Sequence, residues 1–282
     1  MRVQGLKTQA YKTSGIFRRI LLFFAFGAAI WLLSAHVRQM LHLPLTFSLR
    51  TKATEAPAAT PAPPKDAARL EDDIALTGRA WYALQLGAFT QENAAWQLSQ
   101  EFIPRGAAGY VCREKDIYRV FAAAYPTRAE AQSVQTRLSE QGVTTYIQSI
   151  HEPAVTLRAQ GNEKQVRAVR EALNYLDALS TKLYTLSCAL DAGEMSQPDA
   201  LEALRSECAT CLALKSSLSK AFDGEEADAV APLGALLGDL SSEGEALQNS
   251  ASAARLGAAL KRCQLTVSLG LSQFAVHLAA QP

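Results

Sequence analysis

Aromatic, amide and guanidinium side chains alternate with apolar ones along four short segments between residues 81 and 150. Flat aromatic surfaces can stack on the C–H faces of sugar rings, and amide or guanidinium groups can hydrogen-bond to hydroxyl and acetamide groups. If the segments are β-strands, every second side chain points to the same face of the sheet. The side chains that would then share one face are Trp81, Gln85, Tyr110, Ile117, Arg119, Phe121 and Tyr146, with Gln148 beside them.

Side chains that could do covalent or metal chemistry are present but poorly placed for it. Cys208 and Cys211 have Cys-x-x-Cys spacing, yet no predicted strand precedes them and no second pair supports a zinc site. Ser217 and Lys220 match Ser-x-x-Lys by letter only, and none of the 4 histidines has a partner at ligand or triad spacing. We therefore expect a protein that is not an enzyme, with no catalytic residue, no metal ligand and no cofactor.

An internal repeat supplies the elements that would position the alternating side chains. Residues 82–110 match residues 118–146 at a constant offset. Each half predicts a strand, a helix with Thr90 or Thr127 as its N-cap, and a second strand. Two such halves predict a βαββαβ unit over residues 81–150, in which a four-stranded antiparallel sheet carries both helices on one face.

These residues resemble the SPOR domain, a small bacterial module that binds peptidoglycan. The resemblance is carried by Trp81-Tyr-Ala-Leu-Gln-Leu-Gly-Ala-Phe89 and, in the second half, by Tyr118-Arg-Val and Tyr125-Pro-Thr-Arg-Ala-Glu-Ala. It implies a sheet that binds glycan strands stripped of their stem peptides, which accumulate where the cell wall divides. Ala88 departs from the family pattern, because a serine is common at that point of the sheet face.

The helices should cover one face of this sheet and leave the other open. The set expected beneath the helices is Leu84, Leu86, Val111, Val120 and Ile147. We expect the opposite face, which carries the seven residues named first, to bind glycan, because exposed aromatic clusters usually mark contact sites. Two alternatives remain. The face could pack against the C-terminal half or against the stalk, residues 38–80, or its aromatic residues could be exposed incidentally.

The first 80 residues predict a membrane anchor and a tether. Residues 1–19 hold five basic side chains and no acidic one, and form a basic cytoplasmic tail. Residues 20–37 form an apolar run that would span about 27 Å as a transmembrane helix, with a cleaved signal peptide as the alternative. Residues 38–80, rich in proline and alanine, predict an extracytoplasmic linker. We expect the C-terminal domains outside the cell membrane.

Residues 160–282 predict an all-α helical bundle of unknown function. Leucines recur at steps of three and four along four segments, which is typical of amphipathic helices that share a core. Self-association through an exposed stripe remains an alternative. The 5 cysteines of the chain are an odd number. We expect small buried thiols, with a bridge between bundle helices through Cys188 or Cys263 as the alternative.

Composition limits the function classes further. A chain with 49% hydrophobic residues and a net charge of +1 is neither wholly disordered nor a dedicated nucleic-acid binder. The fold class that we predict is α+β: a membrane-anchored, SPOR-like βαββαβ domain followed by an all-α bundle. The predicted function is non-enzymatic binding of denuded peptidoglycan strands at division or sporulation sites, with the bundle docking a protein partner. The alternative is a scaffold whose sheet face and bundle bind proteins and have no glycan affinity.

Overall fold

A computed structural model describes residues 48–51, 70–224, 228–247 and 252–279. All of them belong to one compact unit, Thr46–Pro282. The predicted basic tail, residues 1–19, and the predicted membrane helix, residues 20–37, lie outside the described residues. Within the described ranges, no helix combines the length and apolar character that a membrane crossing requires.

In the part of the chain that the structure describes, five antiparallel strands form one sheet in the order β1-β5-β2-β4-β3. The strands are β1 Ser48–Thr51, β2 Leu70–Phe89, β3 Tyr110–Glu114, β4 Ile117–Tyr125 and β5 Tyr146–Gly161. The predicted four-stranded antiparallel sheet corresponds to β5-β2-β4-β3, and β1 adds an edge strand beside β5. The predicted α+β class is confirmed.

The strands β2 and β5 are longer than predicted, which corrects the boundary of the linker. All of β5 pairs with β2, from Leu70 opposite Gly161 to Gln85 opposite Tyr146. Residues 70–80, predicted as linker, are therefore the first half of β2. Ile74 and Leu76 are buried between exposed neighbours, so this stretch has the two-residue period of a strand. The acidic residues before Ile74 hide that period in the sequence.

Two helices lie against one face of the sheet, as predicted. They are α1, Glu92–Phe102, and α2, Arg128–Glu140. Thr127 caps α2 as predicted, because its side chain accepts from the Glu130 backbone N–H while the Glu130 carboxylate accepts from the Thr127 N–H. The predicted cap Thr90 is wrong by one residue, since Gln91 precedes α1 without a side-chain cap.

From residue 163 onward the described residues form four helices, as the leucine periodicity predicts. The helices are α3 Glu163–Asp191, α4 Gln197–Ala221, α5 Ala231–Ala246 and α6 Ala253–Ala279. Asn162 begins α3 with a second capping box, made with Gln165. Gly193, with φ of 72°, follows α3 and permits the left-handed conformation at which the helix ends.

The sheet and the helical bundle share one core rather than meeting as separate domains. Ile74 and Leu76 of β2 and Leu157 of β5 belong to the same buried cluster as the bundle leucines, for example Leu173 and Leu260. Residues 70–80 of β2 and 151–161 of β5 thus extend the sheet beyond the predicted SPOR-like unit and into the core of the bundle. Burial of this shared apolar surface favours a fixed arrangement of the two parts.

Candidate functional site

The register of the strands brings the seven predicted site residues together on one face of the sheet. Gln85 lies opposite both Phe121 and Tyr146, and Phe121 lies opposite Tyr110. Two-residue steps along the strands add the rest of the set, which is Trp81, Ile117 and Arg119. This face, opposite α1 and α2, is called the bundle face below. Leu84 and Val120 point the other way and are fully buried.

One half of the bundle face is covered by the C-terminal helices, so the expectation of an open face is wrong there. Trp81 and Phe121 are only 2% and 1% exposed. They form one apolar cluster with Leu265 and Leu269 of α6 and with Tyr184 of α3. The Trp81 and Tyr184 rings lie 5.6 Å apart between centroids. We call this part the covered half; its aromatic rings are not available to a sugar.

The buried carboxylate of Glu152 links the covered half to the helices α3 and α6. Glu152 Oε1 accepts hydrogen bonds from Trp81 Nε1 at 2.6 Å and from Ser268 Oγ at 2.7 Å. Glu152 Oε2 lies 3.3 Å from Arg79 Nη1, and Arg79 also lies 3.4 Å from Asp177 of α3. A buried charge is tolerated only when it is paired and hydrogen-bonded. This network therefore fixes α3 and α6 on the sheet.

Tyr110 also belongs to the covered half. It is half-buried and packs against the cluster that contains Trp81 and Phe121. Burial, together with nearby Cys112 and Asp239, raises the pKa of Tyr110 to about 12, while a hydrogen bond with Thr266 of α6 opposes the shift. The hydroxyl group is therefore neutral at physiological pH, and its contacts lie within the molecule.

The rest of the bundle face stays open to solvent, and we call it the open half. The Tyr146 side chain is 62% exposed. Arg119 Nη1 donates to Gln85 Oε1 at 2.9 Å, and Arg119 Nε donates to Glu114 Oε2 at 2.7 Å. Ile117 is half-buried where β4 begins. Because a guanidinium carries five N–H donors, Arg119 keeps donors for a ligand after these two bonds.

The two halves divide the predicted site residues clearly. Ile117, Arg119 and Tyr146 line the open half, and Trp81, Tyr110 and Phe121 lie in the covered half. Gln85 is only 8% exposed, and its amide oxygen accepts from Arg119 at the boundary between the two halves. Glu114 is not among the predicted site residues, although two-residue alternation with Tyr110 on β3 places it on this face. Glu152 is not among them either, because it lies beyond the predicted SPOR-like unit, residues 81–150. Whether any of these side chains binds glycan stays a prediction.

The chemistry of the open half is that of a neutral polar binding surface. The ion pair between Arg119 and Glu114 cancels its charge, and Tyr146 offers a flat apolar ring beside the amide of Gln85. No group of three or more His, Cys, Asp or Glu among the described residues is arranged to hold a metal ion. Such a surface can bind a ligand by stacking and by hydrogen bonds.

Comparison with known families supports the resemblance to the SPOR domain. A SPOR domain is found at residues 78–149, about a quarter of the chain. SPOR domains are binding modules rather than catalytic ones, and the match suggests peptidoglycan binding in a general sense. No curated protein and no solved structure matches the chain. The resemblance inferred from the repeat is thus confirmed for the SPOR domain itself.

Proposed function

We propose that this chain binds denuded glycan strands of peptidoglycan without processing them, and that it does so at division or sporulation sites. The observation that carries the proposal is an open half, with an exposed aromatic ring beside an amide and a guanidinium, inside a SPOR domain. Tyr146 would stack on the C–H face of a sugar ring. Arg119 would hydrogen-bond to hydroxyl and acetamide groups, while Gln85, which is only 8% exposed, would hold the Arg119 guanidinium in position. Ile117 would extend the apolar contact.

The neutral charge of the open half fits a ligand without stem peptides. Stem peptides carry carboxylates, which a surface rich in unpaired Lys or Arg would attract. Here the Arg119 guanidinium is already paired with Glu114. A surface of this kind gains affinity mainly from stacking and hydrogen bonds, so its binding should depend only weakly on ionic strength.

The membrane location of the proposal rests on the sequence alone. The basic residues 1–19 before the apolar residues 20–37 favour a single-pass anchor with a cytoplasmic N-terminus and extracytoplasmic C-terminal domains. Fractionation of cells that express the full chain, with protease added outside the membrane, tests this topology. The protease should cleave the sheet and bundle only after the envelope layers outside the cell membrane are made permeable to it. The full chain should sediment with membranes.

Retention on sacculi tests the glycan claim. Residues 46–282, which contain the whole compact unit, would be incubated with intact sacculi and with sacculi treated with an amidase that removes stem peptides. We expect stronger retention on treated sacculi, and a loss of about threefold to tenfold for Tyr146→Ala, since an aromatic contact is worth about 0.5–1.5 kcal/mol. Trp96→Ala is the matched control, because Trp96 is an exposed ring on α1 at the opposite face. Equal retention of the two variants would contradict the proposal.

A second candidate function is a scaffold whose bundle face serves only as an internal interface. The burial of Trp81 and Phe121 beneath α6 favours it. In this case residues 46–282 should not be retained on either kind of sacculus. A fluorescent full-length chain with Tyr146→Ala should then localise like the parent, whereas the glycan proposal expects it to lose enrichment at the septum.

The proposed partner role of the bundle is separable from glycan binding. The helices α4 and α5 have little contact with the SPOR sheet, so their outer surfaces are free of that interface. Leu212 on α4 is 51% exposed, which makes it the first position to substitute. If the bundle docks a partner there, Leu212→Glu should disturb localisation without changing retention of residues 46–282 on sacculi.

A further inference from the structure

A large cavity opens on the side of the sheet opposite the bundle face. Its volume is about 890 Å³, and it lies where α1 and α2 leave the sheet uncovered between them. Leu84 and Ala122 belong to its floor, and the C-terminal end of α3 and the N-terminal end of α6 form its far wall. Ligand sites commonly occupy about 300–1,000 Å³ and lie between packed units of a fold.

The floor and one wall of this cavity are apolar. Leu86 of β2 is half-buried at the floor, above the fully buried Leu84, and Val134 and Leu138 of α2 are half-buried along the wall. Phe102 at the end of α1 closes the other side. Apolar surface that faces a cavity gains free energy when an aliphatic group replaces water there, by about 0.8 kcal/mol per buried CH₂.

The rim of the cavity carries more positive than negative charge. Lys261 of α6 is paired with Asp191 of α3 at 2.8 Å, and Arg105 is paired with Glu101 at 3.0 Å. Arg137, exposed in the last turn of α2, forms no ion pair or hydrogen bond within the described part of the chain. Its guanidinium is therefore the rim cation best placed to accept an anionic head group.

Two neighbouring groups also favour an anionic head group at the rim, and neither of them carries negative charge. Burial holds the pKa of Tyr125 well above its usual range, so its hydroxyl lines the cavity as a neutral donor. The N-terminal residues of α6, Ala253 and Ala254, also line the rim. A helix N-terminus carries a partial positive charge.

We propose that this cavity binds an amphipathic anion with a single aliphatic chain, such as a fatty acid or an alkyl phosphate. The chain lies against the partly exposed apolar side chains of Leu86, Val134 and Leu138, and the carboxylate or phosphate binds Arg137. Charge complementarity at the rim and the apolar floor carry this assignment. The site is separate from the glycan face, because the two lie on opposite sides of the sheet, and it does not rest on the proposed function.

Such a ligand would bridge the SPOR domain and the bundle. The floor belongs to the SPOR domain, and the wall formed by Asp191 and Ala254 belongs to the bundle. A ligand that binds only this folded arrangement stabilises it in proportion to the logarithm of its concentration. Binding should therefore raise the melting temperature of residues 46–282.

Cys188 offers a direct test of the location. It is an exposed free thiol that lines the cavity, whereas Cys112 is a half-buried free thiol on the bundle face. Residues 46–282 would be labelled with a maleimide at increasing concentrations of dodecanoate, below its critical micelle concentration, and both sites followed by mass spectrometry. We expect saturable slowing of labelling at Cys188, by severalfold, with Cys112 unchanged.

Matched probes and variants separate the head group from the chain. Dodecyl phosphate should protect Cys188 as dodecanoate does, while dodecyltrimethylammonium and butanoate should not. Arg137→Gln should weaken the effect of dodecanoate by about threefold to tenfold, as expected for loss of a partly solvated charged hydrogen bond. Ala254→Trp, which fills the cavity from its rim, should abolish it. Equal protection by the cationic amphiphile, or no protection of Cys188 by dodecanoate in the folded parent, would overturn the proposal.

Discussion

The covered and open halves of the bundle face have similar residue types but opposite surroundings. Both carry aromatic rings with polar partners: Trp81 with Glu152 in the covered half, and Tyr146 beside Gln85 in the open half. Trp81 is 2% exposed and Tyr146 is 62% exposed. Strand alternation assigns a side chain to a face, but only the elements that pack on that face decide whether it can meet a ligand.

The difference also separates two kinds of polar contact. In the covered half, Glu152 is buried and every partner lies within the molecule, so its contacts contribute to stability. In the open half, the Arg119–Glu114 ion pair is partly solvated and contributes little to stability. We infer that the covered half fixes the fold and that the open half is available for binding. The three predictions below test that division, from the largest effect to the smallest.

Removing the buried carboxylate should cause the largest loss of stability. Glu152→Ala leaves the buried Trp81 indole N–H and the Ser268 hydroxyl without their shared acceptor, while Arg79 keeps Asp177. Each buried polar group left without a partner costs about 1–3 kcal/mol, so we expect a loss of about 2–5 kcal/mol. Denaturant unfolding of residues 46–282 measures the free energy of unfolding. Glu114→Ala is the matched control and should cost less than about 1 kcal/mol. Similar losses in both variants would remove the distinction between the halves.

Tyr110 should make stability depend on alkaline pH. Its pKa is raised from 10.0 to about 12 in the folded chain, so the unfolded chain loses the phenolic proton first. The stabilisation is therefore fully present below pH 10 and is lost as the pH rises through about 12, at up to about 1.4 kcal/mol per pH unit. Tyr110→Phe should flatten this decline by up to about 2 kcal/mol between those limits. Unfolding at a series of pH values measures it, and parallel curves for parent and variant would show that the hydroxyl is not held in the covered half.

Local sequence signals predicted the SPOR part of the fold well. The capping box at Thr127 and the alternation of Leu84 with Gln85 depend on neighbouring residues, so they can be read from the sequence. The acidic stretch before Ile74 hid the first half of β2, because its alternation becomes visible only with its partner strand β5. Strand pairing between distant segments has no local signature.

The packing of α3 and α6 on the bundle face was harder to predict, because it depends on contacts between residues far apart in the chain. Leu265 of α6 and Trp81 of β2 meet only in the folded chain. One signal was nevertheless present: apolar residues lie on more than one side of α6, for example Leu260 and Val267 in the bundle core and Leu265 against Trp81. A helix that is apolar on more than one side is buried on more than one side. The apolar residues on more than one side of α6 therefore indicate that the helix has a second contact surface in addition to the bundle core.

The smallest effect concerns the guanidinium of the open half. Arg119→Lys keeps the positive charge but removes the planar fork that donates to Gln85 and Glu114 together. We expect about threefold weaker retention on amidase-treated sacculi with no change in the free energy of unfolding beyond about 0.5 kcal/mol. Arg113→Lys is the matched control, because Arg113 lies on the adjacent strand β3 with its guanidinium over Tyr118, on the other face. If both variants retain full binding, Arg119 does not contact the glycan, and the open half binds through Tyr146 and Ile117 alone. If Arg119→Lys instead unfolds more easily, the ion pair belongs with the structural contacts of the covered half, and the division of the bundle face must be redrawn.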